Sequence, residues 1–203
     1  MNTQTFSRAT VAVTAAILLP LGLTAYSAQA GDGGSASSPS ASAAKADGPF
    51  GPGCAAIPKD GAGSLAGMAD DPVATAASNN PELSTLVTAV KQAGLVDTLN
   101  NAKDITVFAP TNAAFAKIPK ADLDKVLADK AMLTDILTYH VVGQKLTPQQ
   151  MENGSFETLQ KSKLTTEGSG ESFTVNDSAK VVCGNVPTAN ATVYIIDTVL
   201  MPK

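Results

Sequence analysis

Three observations predict an α+β fold for this chain of 203 residues, a length that suits one domain. In the first half, apolar residues recur at the three- and four-residue spacing of amphipathic helices. From Tyr139 onward the period changes towards two, as expected of strands, and glycines separate the short segments. No internal repeat is visible, and helices followed by strands favour an α+β fold over a parallel sheet with alternating helices.

The N-terminal stretch, residues 1–30, has the pattern of a secretory signal peptide. Arg8 is its only charged side chain, residues 10–25 are mostly apolar, and Ala28-Gln29-Ala30 gives the small-x-small end of a cleavage site. An uncleaved membrane anchor is the alternative, but a spanning helix needs about 20 apolar residues and Pro20 interrupts this run. We predict cleavage after Ala30 and no stable membrane span in the mature chain.

A linker without a lipid anchor is expected to follow. Residues 23–26, Leu-Thr-Ala-Tyr, resemble a bacterial lipoprotein signal, but Tyr26 stands where the lipid-bearing cysteine would be, and a thioether needs a thiol. We therefore expect a secreted, extracellular form, with cell-surface association left open. Residues 31–50 are rich in Gly, Ser and Ala, which predicts a flexible linker ahead of a folded domain over 51–203.

The sequence has two cysteines, Cys54 and Cys183. Behind an export signal, an even count favours a disulfide, and the one intramolecular pairing joins the start of the folded region to a point near its end. Two unpaired, buried thiols are the alternative.

Local signals place the helices of the first half. Asp71 and Pro72 are expected to cap and open the first one, Gly94 has the place of a C-cap, and Thr111 has that of an N-cap. A β-branched strand is predicted over 105–109 and ends at Pro110. The predicted helices cover 73–78, a stretch with Leu83, Leu86, Val87 and Val90, then 95–100, 112–117, 121–128, and a stretch with Leu133, Ile136 and Leu137.

The second half is expected to supply a sheet. Its predicted strands are 141–142, 156–159, 163–166, 173–175, 180–183 and 191–200, the last being the longest and most β-branched. Alternation along that strand puts Asp197 on one face with Val193, Ile195 and Val199.

Composition excludes several classes of function. The net charge of −4 argues against a nucleic-acid partner, which requires a clustered basic face. One histidine and two widely separated cysteines are too few ligands for a zinc site, and no carboxylate-dense loop suggests calcium or magnesium. With no Gly-x-Ser-x-Gly motif and no second histidine, we expect neither an enzyme nor a cofactor.

Three separated motifs resemble the fasciclin-like domain family. They are Thr106-Val107-Phe108-Ala109-Pro110-Thr111-Asn112-Ala113-Ala114-Phe115, the pair Tyr139-His140, and Val193-Tyr194-Ile195-Ile196-Asp197-Thr198-Val199-Leu200-Met201-Pro202. They occur in the family's order and cover one complete domain. Further stretches, such as Gly53-Cys54-Ala55-Ala56 and Ser78-Asn79-Asn80-Pro81-Glu82-Leu83, are similar to the single-domain secreted fasciclin proteins of actinobacteria, a group that includes mycobacterial antigens and surface lipoproteins.

The resemblance implies a wedge of β-sheet with the helices of the N-terminal half packed on it. It also implies a disulfide between the two cysteines and a non-catalytic role in extracellular adhesion or protein-protein contact. We expect a cell-surface protein or glycan as the partner and a monomer as the oligomeric state. A carrier of a small apolar ligand or lipid is the alternative function.

Seven motif residues outside the cysteines have expected roles, and that of Pro110 is to end the strand. Phe108 and Phe115 are expected to be core anchors on either side of Pro110, and Thr111 a helix cap. Tyr139 and His140 are candidates for a partner-binding face, with a hydrogen-bonded core histidine as the other interpretation. A carboxylate in an apolar row must find donors, so Asp197 is expected to accept hydrogen bonds from backbone N–H groups, Thr111 or His140, unless the strand faces solvent there.

The sequences that begin at Asn153, Asn176 and Asn190 fit the pattern of glycosylation acceptors. These asparagines are expected to carry no glycan in a bacterial host.

Overall fold

The structure, a computed structural model, describes residues 48–202. The predicted signal peptide, Tyr26 and most of the predicted linker lie outside them. Over 48–202 the chain forms helices in its first half and mainly strands in its second, so the α+β prediction is confirmed.

The helices are α1 (Leu65–Asp70), α2 (Val73–Asn79), α3 (Ser84–Ala93), α4 (Val96–Asn101), α5 (Asn112–Ala116), α6 (Lys120–Ala128), α7 (Lys130–Tyr139) and α8 (Pro148–Met151), with short 3-10 helices at Pro52–Ala56 and Pro81–Leu83. The strands are β1 (Ile105–Pro110), β2 (Val141–Val142), β3 (Asn153–Glu157), β4 (Lys163–Ser169), β5 (Ser172–Val175), β6 (Ala179–Pro187) and β7 (Ala191–Ile196).

The strands form one sheet in the order β2-β1-β7-β6-β5-β4-β3. The pair β1–β7 is parallel, from Ile105 opposite Ala191 to Pro110 opposite Ile196, and the other neighbours are antiparallel. The two ends of the sheet approach each other, because Val142 forms an isolated bridge with Thr158. The sheet therefore curls until it is nearly closed.

Alternation along the central strands divides the apolar residues between two cores. Val193 and Ile195 of β7 point to a cluster beneath the helices, which also holds Leu86, Leu133 and Ile136. Tyr194 and Ile196 point into the curled sheet, where a second cluster is formed by Phe50, Phe108, Tyr139, Val142, Leu146, Met151, Leu164, Phe173, Val175, Ala179, Val181 and Leu200. Every residue of β7 is buried for this reason.

The last strand is shorter than predicted. It ends at Ile196, so Asp197 lies just beyond it, and β6 with nine residues is the longest strand. Beyond the strand, Asp197 still donates its backbone N–H to the carbonyl of Lys180, whereas Leu200 donates to a ring nitrogen of His140.

Two other predictions at element ends differ from the structure. Asp71 does not cap α2, whose N-cap residue is Pro72 without a side-chain hydrogen bond, and the Asp71 carboxylate accepts from Asn79 Nδ2 instead. Phe50, placed at the end of the flexible linker, is only 4% exposed. Its backbone exchanges two hydrogen bonds with Gly184, of 3.1 and 2.8 Å, so the ordered region begins before residue 51.

Candidate functional site

The first motif is a strand-turn-helix whose aromatic residues anchor both cores. Phe108 is fully buried inside the curled sheet, with its ring 5.8 Å from that of Tyr194, and Phe115 is buried beneath the helices. Between them, Pro110 ends β1 and Thr111 Oγ1 accepts a 3.1 Å hydrogen bond from Ala114 N. The Thr111 hydroxyl is thus used as a helix cap.

His140 lies at the C-terminus of α7 and is 2% exposed. Its Nε2 accepts a 3.0 Å hydrogen bond from Leu200 N, so the ring proton is on Nδ1, which is 2.7 Å from the carbonyl oxygen of Ile136. Burial lowers the pKa of His140 to about 4, and the hydrogen bond to the Ile136 carbonyl opposes that shift only in part. At neutral pH the imidazole is neutral, with both nitrogens engaged.

Tyr139 is also 2% exposed, and its hydroxyl connects α7 to the strands. The Oη atom donates to the carbonyl oxygen of Lys163 at 3.0 Å and accepts from Asn176 Nδ2 at 2.8 Å. This burial argues against Tyr139 and His140 as a contact face for a partner. It supports the other interpretation that the sequence left open, a hydrogen-bonded core pair.

Asp197 joins three elements at the surface end of β7. Its Oδ1 accepts from Lys180 N at 2.9 Å and from Thr198 Oγ1 at 3.0 Å, while its Oδ2 lies 3.0 Å from Lys117 Nζ. The backbone N–H donor was predicted, but Thr111 and His140 are not among the partners, and the side chain is 32% exposed. Partial burial raises the pKa of Asp197, but the hydrogen bonds from Lys180 and Lys117 outweigh it and hold the pKa below its ordinary value.

Two asparagines hold the helices in place, and sequence reasoning missed both. Asn190 Oδ1 accepts from Val73 N at 2.8 Å, and its Nδ2 lies 2.8, 3.2 and 2.7 Å from the carbonyl oxygens of Leu99, Asn100 and Ala102. Asn112 similarly joins α5 to α3, through Oδ1 to Thr85 N and Nδ2 to the carbonyl of Pro81. No local pattern marks these roles, since Asn190 and Val73 are 117 positions apart.

The disulfide between Cys54 and Cys183 is present, as predicted. It connects the 3-10 helix after Phe50 to the middle of β6, with a sequence separation of 129. Phe50 packs beside it on Phe173 and Tyr194, with ring centroids 5.4 and 6.3 Å apart. The N-terminal segment is thereby fixed against the second core.

An apolar cavity of about 40 Å³ lies between α2, α3, α4 and the sheet. Val90, Leu99, Val107 and Val193 are among its lining residues, and His140 is one of the few polar ones. An engineered apolar cavity that binds benzene measures about 150 Å³, so an acyl chain does not fit here unless the helices move apart.

The described part of the chain has neither a cluster of metal-ligating side chains nor a helix that could span a membrane. Among residues 48–202 there is no group of three or more His, Cys, Asp or Glu side chains placed to hold a metal ion. Of the helices within those residues, none is both long and apolar enough to cross a membrane.

Comparisons with known proteins agree with the fold. The profile of the fasciclin domain matches residues 81–202. The chain is 54% identical over 147 residues to the cell surface glycolipoprotein MPB83 of Mycobacterium bovis, a match that covers 70% of this chain and 66% of that protein, just under two thirds of its length. It is 52% identical over 160 residues to the immunogenic protein MPB70 of the same species, covering 75% and 81% of the two chains.

A solved structure gives independent support for the fold. A pair of FAS1 domains from the insect cell adhesion molecule fasciclin I superposes with a TM-score of 0.54 at 19% identity, covering 67% of this chain and 52% of that one. The family match, the mycobacterial relatives and this shared fold lead to one conclusion: the chain belongs to the fasciclin domain family.

Proposed function

We propose that this chain is an extracellular adhesion or protein-interaction domain that works through non-catalytic contacts made by its outer surface. The partner is a cell-surface protein or glycan. The relatives named as a cell surface glycolipoprotein and as an immunogenic protein support an exported location, and the fold shared with an insect cell adhesion molecule supports the adhesive role.

The observation that carries the proposal is that His140 is buried, with both ring nitrogens in hydrogen bonds. It is the sole histidine of the sequence, and both of its ring nitrogens are occupied by backbone groups of Ile136 and Leu200. A general base must reach the proton that it removes, and this imidazole is buried with a pKa of about 4. Histidine is the side chain whose ordinary pKa suits proton transfer near neutral pH, and here His140 instead holds the C-terminal segment through its hydrogen bond from Leu200.

Release from the cell without a lipid anchor is part of the same proposal. Tyr26 replaces the cysteine that would carry the lipid, so we expect the mature chain to be recovered from the medium. Restoring the thiol by Tyr26→Cys is expected to move the protein into the detergent-soluble envelope fraction.

The test is photo-crosslinking of the exported protein on living cells. Photoreactive side chains replace the exposed Met132, Leu159 and Met201 one at a time, and the crosslinked partners are identified by mass spectrometry. We expect one partner to be captured from at least one of these positions, and an exposed polar position, Lys59, serves as the control. Turnover of a substrate by the pure protein, abolished by changing one side chain, is the result that would overturn the proposal.

Transport of a small apolar ligand is the alternative function, and the cavity beneath the helices is the place for it. Its volume of about 40 Å³ favours adhesion over carriage of a lipid. Native mass spectrometry of protein from its own host separates the two functions, because a carrier copurifies with its ligand and an adhesion domain does not.

A further inference from the structure

Residues 198–202, which follow β7 and which we call the C-terminal strap, lie across the boundary between the two cores. Val199 is buried in the cluster beneath the helices, whereas Leu200 is buried in the cluster inside the curled sheet. The next residue, Met201, is exposed. The strap therefore contributes one buried side chain to each core.

One backbone hydrogen bond holds the strap. Among residues 48–202, the 3.0 Å bond from Leu200 N to His140 Nε2 is the one hydrogen bond that the backbone of the strap makes. His140 is held more firmly, because its own N–H donates to the carbonyl of Ile136 and its carbonyl accepts from Phe108 N at 2.8 Å. If the bond between Leu200 and the His140 ring is lost, the strap and not helix α7 is the part that moves.

The ring of His140 lies between two apolar cavities. The cavity of about 40 Å³ beneath the helices is on one side, and a second cavity, of about 10 Å³, is bounded by Val199 and Met201 of the strap. All of the side chains that line the two cavities are uncharged, and apart from His140 only Ser78 and Thr188 are polar. A protonated ring therefore finds no acidic partner in either cavity.

The charged groups on the surrounding elements lie at the surface. Those on the elements that line the two cavities are all exposed or half-exposed: Asp70, Glu82, Lys91, Asp97, Lys120, Asp122, Asp124, Lys125, Lys130, Asp135 and Lys180. Asp197, just before the strap, is engaged by Lys180 N and by Lys117 Nζ. Because burial is not offset by a counter-charge, the pKa of His140 falls from 6.5 to about 4.

We propose that residues 198–202 are an acid-released strap, which detaches when His140 is protonated at Nε2 while the rest of the domain stays folded. The added proton takes the lone pair that accepts from Leu200 N, so two donors then face each other across 3.0 Å. The Ile136 carbonyl still accepts from Nδ1, and the ring stays on α7. Detachment uncovers the boundary between the two cores.

The size of the effect follows from proton linkage. Once the strap is detached, water reaches the ring, and the pKa of His140 returns towards 6.5 from about 4. The equilibrium constant for detachment is then expected to be about 70-fold larger at pH about 4.5 than at pH about 7.5. Asp197 does not contribute, because its pKa is held below 3.8 and the carboxylate stays ionised over this range.

The test is amide hydrogen exchange of the wild type, followed by NMR at both pH values and corrected for the intrinsic exchange rate. The Leu200 amide is expected to exchange through a local opening, with an opening constant about 70-fold larger in acid and little changed by urea. The Phe108 amide, which bonds to the backbone of His140 and not to its ring, is the internal control. It is expected to be better protected at both pH values and to depend strongly on urea, since only a larger unfolding exposes it.

His140→Gln is the matched variant, because its amide keeps one acceptor and one donor but does not titrate. The opening constant at Leu200 in this variant is expected to change by less than about threefold between the two pH values. An opening constant at Leu200 that is independent of pH in the wild type overturns the proposal. So does a urea dependence at Leu200 equal to that at Phe108, which needs no variant, or the wild-type pH dependence in His140→Gln.

Discussion

His140 is neutral because it is enclosed, and its protonation opposes folding. Its pKa is about 4 in the folded chain against 6.5 for an unperturbed histidine. Between these two values the unfolded chain binds a proton that the folded chain does not. Above pH 6.5 the free energy of unfolding is therefore expected not to depend on the titration of His140. As the pH falls from 6.5 to about 4, the free energy of unfolding is expected to fall by about 3 kcal/mol in total.

Urea unfolding followed by circular dichroism at pH about 7.5 and about 4.5 measures this loss. His140→Gln is the control, because its amide keeps one donor and one acceptor but does not titrate. The variant is expected to start less stable and to lose less stability on acidification. An equal pH dependence in the two proteins would assign the effect to carboxylates elsewhere.

Asp197 is expected to contribute through its backbone partner more than through its ion pair. Asp197→Ala leaves Lys180 N without its acceptor and should cost about 1–2 kcal/mol, measured by chemical denaturation. Lys117→Met removes only an exposed cation and should cost less than about 0.5 kcal/mol, as is usual for a surface ion pair. If the two variants are equally destabilised, the ion pair and not the N–H bond is the main contribution.

Roles that depend on neighbours along the chain were predictable from sequence, whereas those that depend on distant residues were not. Thr111 caps α5 and Gly94 ends α3 in the left-handed conformation, both as expected, because the groups they serve lie within a few positions. One partner of Asp197 is Lys117, 80 positions away, and no spacing rule identifies such a pair. Phe108 and Phe115 were expected in the core, and only the structure shows that they belong to different cores.

At the scale of the elements, the side chains of Asn190 and Asn100 join α2 to α4, and Asn190 makes more of the hydrogen bonds. Asn190→Ala removes one acceptor and the donor to three carbonyl groups, so we expect a loss of about 2–4 kcal/mol in the free energy of unfolding. Hydrogen exchange should show faster exchange of the Val73 amide than of amides in β7.

The exposed Asn101 provides the matched control for this substitution. Asn101→Ala, at the end of the same helix α4, is expected to change stability by less than about 0.5 kcal/mol. A similar loss in both variants would mean that the hydrogen bonds of Asn190 do not explain the effect.

The periodicity of the sequence predicted single elements, but it did not predict which strands pair with each other. Apolar spacing located α3, α4 and α7 to within a few residues, since each buries one face against the sheet. The parallel pair β1–β7 joins the first long strand to the last, and nothing in either segment indicates its neighbour. Alternation placed the side chains of β7 correctly as far as Ile196, but it does not predict that both faces are covered.

At the scale of the whole molecule, the disulfide closes a loop of about 129 residues. The chain-entropy model gives about 5 kcal/mol for a loop of this length, as an upper value. Cys54→Ala combined with Cys183→Ala is expected to lower the free energy of unfolding by about 2–5 kcal/mol, measured by guanidinium denaturation against the oxidised wild type.

Local opening should accompany that loss. The amide of Gly184, which donates to the carbonyl of Phe50 at 2.8 Å, is expected to exchange faster in the double variant and in the reduced wild type alike. Unchanged exchange at Gly184 would mean that Phe50 is held by its aromatic contacts alone.

The same crosslink determines how the domain carries mechanical load. Tension transmitted through residue 48 reaches Phe50 and Cys54 first and passes by a covalent bond to Cys183 in β6. The 129-residue span between the cysteines, which holds all eight helices described in residues 48–202, lies outside that path. A pull between the N-terminal side and β7 therefore strains the short connection between β6 and β7, where Asn190 passes the load on to α2 and α4 through its hydrogen bonds.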